Sequence, residues 1–153
     1  MQVTSLKAEI RERSDRLTVL KKDMQDAEKT ASHYSANKDQ LEYMALQDQC
    51  FSVKGGEYTY NVCMLGSTTQ VSTGGNTVTL GQYERIVPKA DGSVVMEFTK
   101  GQHCHAFGAR RASVHIACGA DNTVLVVDEP STCNYSFEMT SPAACNPTMA
   151  QFL

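Results

Sequence analysis

The chain has 153 residues, enough for one compact domain and an appendage, and its net charge is −3. This charge argues against nucleic-acid binding, which needs a strongly basic face. No apolar run approaches the roughly 18 residues of a membrane-spanning helix, so we expect no membrane partner. The N-terminus lacks the apolar core of a signal peptide. We therefore expect a piece of a longer precursor or a chain whose targeting segment is missing.

Residues 1–45 contain no Gly, Pro or Cys, and apolar residues recur there at alternating steps of three and four. Arg13 and Lys38 interrupt a repeat formed by Val3, Leu6, Ile10, Leu17, Leu20, Met24, Ala27, Ala31, Tyr34 and Leu41. This heptad pattern predicts one long amphipathic helix over 1–45, with a candidate break at residues 35–37. We interpret it as a coiled-coil stalk that pairs with a helix of the same parent chain or of a partner. The alternative is a helix that lies on its own β-domain.

From Cys50 onward, short runs rich in Val, Thr, Tyr and Phe alternate with turn-forming clusters. The predicted strands are Glu57–Met64, Thr77–Leu80, Ser93–Thr99, Ala112–Cys118, Thr123–Val127 and Cys133–Met139. The predicted turns are 54–56, 72–76, 90–92 and 119–122. This spacing predicts a mainly β domain, a flattened antiparallel barrel or sandwich, behind the N-terminal helix.

The six cysteines all lie in the last two thirds of the chain, at Cys50, Cys63, Cys104, Cys118, Cys133 and Cys145. An even count within one small region is typical of a disulfide framework in an oxidising compartment. The alternative is a zinc site, which usually brings close cysteine pairs that are missing here. We therefore favour three disulfides, whose pairing the spacing alone leaves open.

Catalytic signatures are absent from the sequence: there is no nucleophile elbow, phosphate-binding loop or HExxH motif. Asp128 and Glu129 form the only adjacent acidic pair of the β-region. Neighbours on a strand point to opposite faces, so this pair cannot act together on one substrate as a glycosidase pair would. We therefore expect a non-catalytic chain without a cofactor or metal.

The chain closes with EPSTCNY at 129–135 and MTSPAAC at 139–145. This resembles the E-P-x-x-C-x-Y and T-P-x-A-C signature of the mannose 6-phosphate receptor homology (MRH) family. LQDQCF at 46–51 and EYTYNVC at 57–63 resemble in particular those family members that are β subunits of endoplasmic reticulum (ER) glucosidase II. The resemblance covers about residues 46–147. It implies a stalk over 1–45, an MRH-type lectin domain over 46–147 and a tail over 148–153.

The family binds mannose through a Gln, an Arg, a Glu and a Tyr, and counting from the cysteines places these side chains at Gln70, Arg110, Glu129 and Tyr135. A further tyrosine of the family corresponds to Tyr58. The resemblance also implies the disulfides Cys50–Cys63, Cys104–Cys133 and Cys118–Cys145. Arg, carboxylate, amide and phenol groups together provide the donors and acceptors that vicinal sugar hydroxyls need.

Strand parity favours Arg110 over Arg111 as the sugar ligand. If the strand begins there, Arg110 shares a face with the apolar Ala112, Val114 and Ile116, whereas Arg111 lies on the other face. The related subunits usually carry a Trp directly after the third cysteine, near the sugar. Here that position is His105, which offers a smaller ring, and Phe107 is an alternative occupant of the space.

The resemblance implies a mannose-binding, non-catalytic regulatory subunit in the ER lumen. Its partners would be the terminal mannose of high-mannose N-glycans and a separate catalytic α subunit of glucosidase II that trims glucose in glycoprotein quality control. One alternative is an ER-degradation lectin that sorts misfolded glycoproteins. Another is a purely structural module for subunit assembly.

Overall fold

The computed structural model describes residues 2–36 and 40–145. The chain divides into two units, Met1–Leu41 and Glu42–Leu153. Two of the predicted features, Lys38 and the tail over 148–153, lie outside the described residues. Within the described residues, no helix combines the length and apolar character that a membrane span requires.

The first unit is the helix α1, Gln2–Ala36. The apolar side chains of its heptad repeat lie on the surface, with exposed fractions of 52–66% for Val3, Leu6, Ile10, Leu17, Leu20 and Met24. Arg13, which interrupts the stripe, forms an ion pair with Glu9 at 2.8 Å. An exposed ion pair stabilises a helix only slightly. Contacts made by the apolar stripe would therefore contribute most of the stability of α1.

The predicted helix over 1–45 was too long at its C-terminal end. After α1, the chain forms a separate short helix α2, Leu41–Met44. Tyr43 and Met44 of α2 are 3% and 2% exposed and belong to the core of the second unit. Burial among the β-strands stabilises these two adjacent side chains more than exposure on a surface helix would. This explains why they pack into the core of the second unit.

The second unit contains one eight-stranded sheet. Its strands are β1 Cys50–Gly55, β2 Tyr58–Cys63, β3 Ser67–Ser72, β4 Thr77–Pro88, β5 Val94–Lys100, β6 Arg111–Cys118, β7 Thr123–Ser131 and β8 Asn134–Ser141. The spatial order is β1-β2-β3-β4-β5-β6-β8-β7. All neighbours are antiparallel except β6 and β8, which are parallel. All six predicted strands are present, whereas β1 and β3 were not predicted.

The sheet nearly closes into a barrel because its edge strands β1 and β7 lie against each other. A glycine is required at this seam: a Cβ on Gly55 would lie 2.6 Å from Cγ1 of Val127. The core inside the barrel is built from aliphatic, Met and Phe side chains. Its fully buried members include Val62, Met64, Leu80, Met96, Phe98, Val114, Ile116, Phe137 and Met139.

The structure pairs the cysteines as the resemblance implies, and none is free. Cys50–Cys63 joins directly opposed residues of β1 and β2. Cys104–Cys133 ties the loop before β6 to the turn between β7 and β8, and Cys118–Cys145 ties the end of β6 to the segment after β8. Each such cross-link typically stabilises a small domain by about 2–4 kcal/mol. With every thiol oxidised, a cysteine zinc site is excluded.

Candidate functional site

Gln70 and Tyr60 are directly opposed on the antiparallel strands β3 and β2. The Gln70 amide donates from Nε2 to the Tyr60 hydroxyl at 3.0 Å. Tyr60 is 8% exposed and Tyr135 is 6% exposed, with ring centroids 6.3 Å apart. Tyr58 lies edge-on to Tyr60, with 6.2 Å between the centroids. An amide and three phenols therefore converge at one place on the barrel.

Glu129 lies near the end of β7 and is exposed. Its Oε1 accepts the backbone N–H of Cys133 at 2.7 Å, which fixes the carboxylate across the turn into β8. Burial raises the pKa of Tyr60, the hydrogen bond from Gln70 lowers it, and the nearby Tyr135, Glu129 and Tyr58 raise it further. The carboxylate of Glu129 is thus close enough to act electrostatically on the aromatic cluster.

Arg110 lies directly before β6. Its Nη1 donates to the backbone carbonyls of Gln102 at 3.2 Å and of His103 at 2.9 Å. Its Nε is buried and has no hydrogen-bond partner within the described residues. Burying a donor without a partner costs free energy. A ligand atom that accepts a hydrogen bond from this nitrogen would relieve that cost.

The position of Arg110 depends on a close backbone contact. The amide of Gly101 donates to the Arg110 carbonyl at 2.8 Å, and a Cβ on Gly101 would lie 2.3 Å from the Leu80 carbonyl oxygen. On the other side, the Arg111 amide donates to the Cys133 carbonyl at 3.3 Å. Arg110 therefore lies next to the residue whose amide Glu129 binds.

His105 and Phe107 lie at the two ends of a 3₁₀ turn, His105–Phe107, which the Cys104–Cys133 disulfide holds beside Arg110. His105 has a φ of 35°, an unfavourable angle for a residue with a side chain. Phe107 is 63% exposed, and His105 is exposed as well. Both rings are therefore at the surface, and Phe107 fills no buried space beside the site.

The structure places the predicted residues in two adjoining groups. Gln70, Tyr135 and Tyr58 lie against Tyr60, and the charge of Glu129 raises the pKa of Tyr60. Arg110 and His105 lie on the loop that Cys104–Cys133 attaches to the turn beside Glu129. The sequence reasoning missed Tyr60. The signal was available, because Tyr58 and Tyr60 share one face of a strand at a spacing of two.

The strand parity on which the choice of Arg110 was based holds within β6. Ala112, Val114 and Ile116 are at most 2% exposed, whereas Ser113 and His115 are only half-buried. Arg110 itself lies one residue outside the strand, and its side chain bonds the loop over 102–103. Among the described residues, no cluster of three or more His, Cys, Asp or Glu side chains could hold a metal ion.

The combination of groups at this site is suited to a neutral, polyhydroxylated ligand. Gln, Glu and Tyr side chains accept hydrogen bonds from hydroxyls, and the guanidinium and phenols donate to them. Such sites usually combine aromatic surface with a few fixed polar groups. Next to Glu129, the Oδ1 of Asp128 accepts the Glu129 backbone amide at 2.8 Å.

Comparisons with known proteins agree with this arrangement. Residues 6–152 match the family described as glucosidase II beta subunit-like protein. The chain is 36% identical over 118 residues to the glucosidase 2 subunit beta of Mycosarcoma maydis, covering 72% of this chain and 20% of that one. It is 32% identical over 106 residues to the human glucosidase 2 subunit beta, covering 68% and 20% of the two chains.

The crystal structure of the MRH domain of glucosidase II beta bound to mannose shares the fold. It has 28% sequence identity and a TM-score of 0.55, and the match covers 67% of this chain and 98% of that one. The chain spans about a fifth of the length of these curated relatives. Because the family match extends over almost the whole sequence, the chain belongs to the glucosidase II beta subunit-like family, and its β unit is an MRH domain.

Proposed function

We propose that the β unit is a lectin domain that binds a terminal mannose through Gln70, Arg110, Glu129 and Tyr135, with Tyr58 at the edge of the site. The observation that carries this proposal is the buried Nε of Arg110, which has no hydrogen-bond partner in the described part of the chain and lies beside a turn that also orients Glu129. A sugar hydroxyl is a natural partner because its oxygen accepts from the guanidinium while its proton is donated to a carboxylate or amide oxygen.

The donor and acceptor pattern supports a sugar over an anion. A phosphate or carboxylate ligand would favour a cluster of cations, whereas the residues proposed for this site include one cation, Arg110, and one carboxylate, Glu129. Hydrogen bonds to charged groups are the stronger kind. Tyr135 is almost completely buried, and its ring supplies a rigid apolar surface beside the polar groups.

We further propose that the chain is the recognition part of a larger non-catalytic subunit in the ER lumen. It would bind high-mannose N-glycans and present them to a separate catalytic α subunit that removes glucose. Support comes from the family, from the names of relatives of which the matched region is about a fifth, and from three disulfides, which persist in oxidising compartments.

Calorimetric titration of the chain with methyl α-D-mannopyranoside, with the galactoside as control, tests the lectin proposal. We expect saturable binding of the mannoside and much weaker binding of the galactoside. If neither sugar binds the folded chain at millimolar concentration, the lectin proposal is wrong. Release of glucose from a glucosylated high-mannose glycan by the chain alone would contradict the non-catalytic assignment.

A further inference from the structure

Tyr60 lies behind the groups expected to contact the sugar, and its ring is held on three sides. Its centroid is 6.2 Å from that of Tyr58, 6.3 Å from that of Tyr135 and 5.8 Å from that of Phe137. With only 8% of Tyr60 exposed, the phenol has little freedom to move. Its hydroxyl is therefore a fixed point inside the site.

Gln70, by contrast, has a side chain whose amide can rotate and present either its oxygen or its nitrogen to a ligand. The Nε2 of this amide donates a hydrogen bond to the Tyr60 hydroxyl at 3.0 Å. With the nitrogen engaged on the protein side, the carbonyl oxygen Oε1 is left for the ligand. In this structure the Gln70 amide therefore turns its nitrogen towards Tyr60 and its oxygen away from it.

We propose that Tyr60 is a positioning residue that orients the Gln70 amide so that Gln70 accepts a hydrogen bond from a mannose hydroxyl. This inference rests on the proposed lectin function. It adds to that function an assignment of which side chains donate hydrogen bonds to the sugar and which accept them. Gln70 and Glu129 accept from sugar hydroxyls, and Arg110 donates to them. A ligand that offers only acceptors at the Gln70 position, such as an O-methyl or fluoro derivative of the contacted hydroxyl, is expected to be rejected.

The electrostatic surroundings keep Tyr60 in the protonated form that this role needs. Burial and the nearby Tyr135, Glu129 and Tyr58 raise its pKa, against the opposing hydrogen bond from Gln70. A neutral phenol oxygen accepts from Nε2 while its own proton remains available to a second acceptor. The arrangement is therefore stable across the neutral pH range.

A double-mutant cycle between Tyr60→Phe and Gln70→Ala tests the proposal, read by titration with methyl α-D-mannopyranoside. Tyr60→Phe retains the packed ring and removes only the hydroxyl, and we expect affinity to fall roughly threefold to tenfold, the effect of about one hydrogen bond. In the Gln70→Ala background the same change should cost less than about twofold, because the amide to be oriented is gone. Tyr83→Phe, at a ring 6.3 Å from Phe98 and outside the site, is the matched control and should leave affinity unchanged.

A second readout does not depend on affinity. In ¹⁵N-resolved NMR spectra of the folded chain, Tyr60→Phe should shift the side-chain amide protons of Gln70, whereas Tyr83→Phe should not. Wild-type affinity in Tyr60→Phe, or additive losses in the double variant, would overturn the positioning role. An unchanged Gln70 amide signal would do the same, even if the variant had lost stability. If the wild-type chain binds no mannose, the lectin proposal itself fails, which is a separate outcome from additivity in a chain that binds.

Discussion

Glu129 accepts the backbone amide of Cys133 at 2.7 Å, and Cys133 is disulfide-bonded to Cys104 on the loop that precedes Arg110. One oxygen of the carboxylate is thus occupied by the protein. The second oxygen has no hydrogen-bond partner among the described residues, and it is the one available to a ligand. In the proposed site, one oxygen of this side chain has a structural role and the other binds the ligand.

This division makes Glu129→Gln an informative substitution. The amide oxygen of Gln can continue to accept from Cys133, but its nitrogen can only donate where the second carboxylate oxygen accepted. We expect mannose affinity to fall at least tenfold, or about 1.4 kcal/mol, with a melting temperature close to that of the wild type. Titration and thermal melting of the same sample measure both quantities. Wild-type affinity would remove Glu129 from the site.

Arg110→Lys removes the planar fork and the Nε donor while retaining the positive charge. Lys can bond one of the two loop carbonyls that Arg110 now holds, but it cannot also donate sideways to a ligand. We expect at least a tenfold loss of mannose affinity. Arg111→Lys changes the next residue, whose side chain is exposed. It is the matched control and should leave mannose affinity nearly unchanged. A loss confined to the Arg111 variant would reverse the assignment.

Removal of the helix tests where the lectin unit begins. Every candidate site residue belongs to the unit Glu42–Leu153, so a chain that starts at residue 42 should bind mannose with unchanged affinity. A chain that starts at residue 46 also loses Tyr43 and Met44, which are buried in the core. Its free energy of unfolding should fall by at least about 3 kcal/mol. Equal stability of the two truncated chains in urea would contradict this boundary.

Tyr43 should make the fold sensitive to alkali. Burial, with a smaller contribution from the charge of Glu42, raises its pKa to about 12, whereas a tyrosine in the unfolded chain ionises near 10. Because the native state keeps this proton to higher pH, the unfolded state is increasingly favoured as pH rises from about 10 to 12. The loss reaches roughly 2–3 kcal/mol.

Tyr43→Phe separates this effect from the other tyrosines. The Tyr43 hydroxyl is buried and has no hydrogen-bond partner within the described residues. Its removal should therefore raise stability at neutral pH by about 1 kcal/mol and flatten the decline above pH 10. Urea unfolding at pH 7 and pH 11 measures both changes. A variant that declines with pH as steeply as the wild type would show that Tyr43 is not responsible.

The sequence predicted the elements whose side chains alternate clearly. β5, β6 and β8 have alternating burial patterns, and all three were predicted within two residues of their observed bounds. β1 and β3 were missed for a physical reason: STTQVS is polar, CFSVKG is half polar, and most side chains of both strands are only partly buried or exposed. The parallel pairing of β6 with β8 was also beyond prediction, because it depends on spatial order and leaves no local pattern.

The site, too, could be predicted only in part from the sequence. The types and positions of Gln70, Arg110, Glu129 and Tyr135 came from a resemblance, and their contacts came only from the structure. Tyr60 was overlooked because it does not stand at a position that the family pattern marks, and the role proposed for it acts through Gln70. The predicted helix ran past Ala36 because Leu41 continues the heptad repeat, although the candidate break at 35–37 overlaps the observed end of α1.

The strand order has a consequence for how the chain is made. β8 is the last strand to be synthesised, yet it inserts between β6 and β7, which precede it. Until β8 emerges, Tyr135 is missing, and Cys104 and Cys118 have no native partners, since both pair with cysteines that follow residue 131. A nascent chain thus carries two unpaired thiols 14 positions apart. Oxidation before β8 is in place would join the wrong sulfurs, so the native pairing is reached either by oxidation after this segment is translated or by later disulfide exchange. The proposed sugar site is likewise incomplete until Tyr135 has been added.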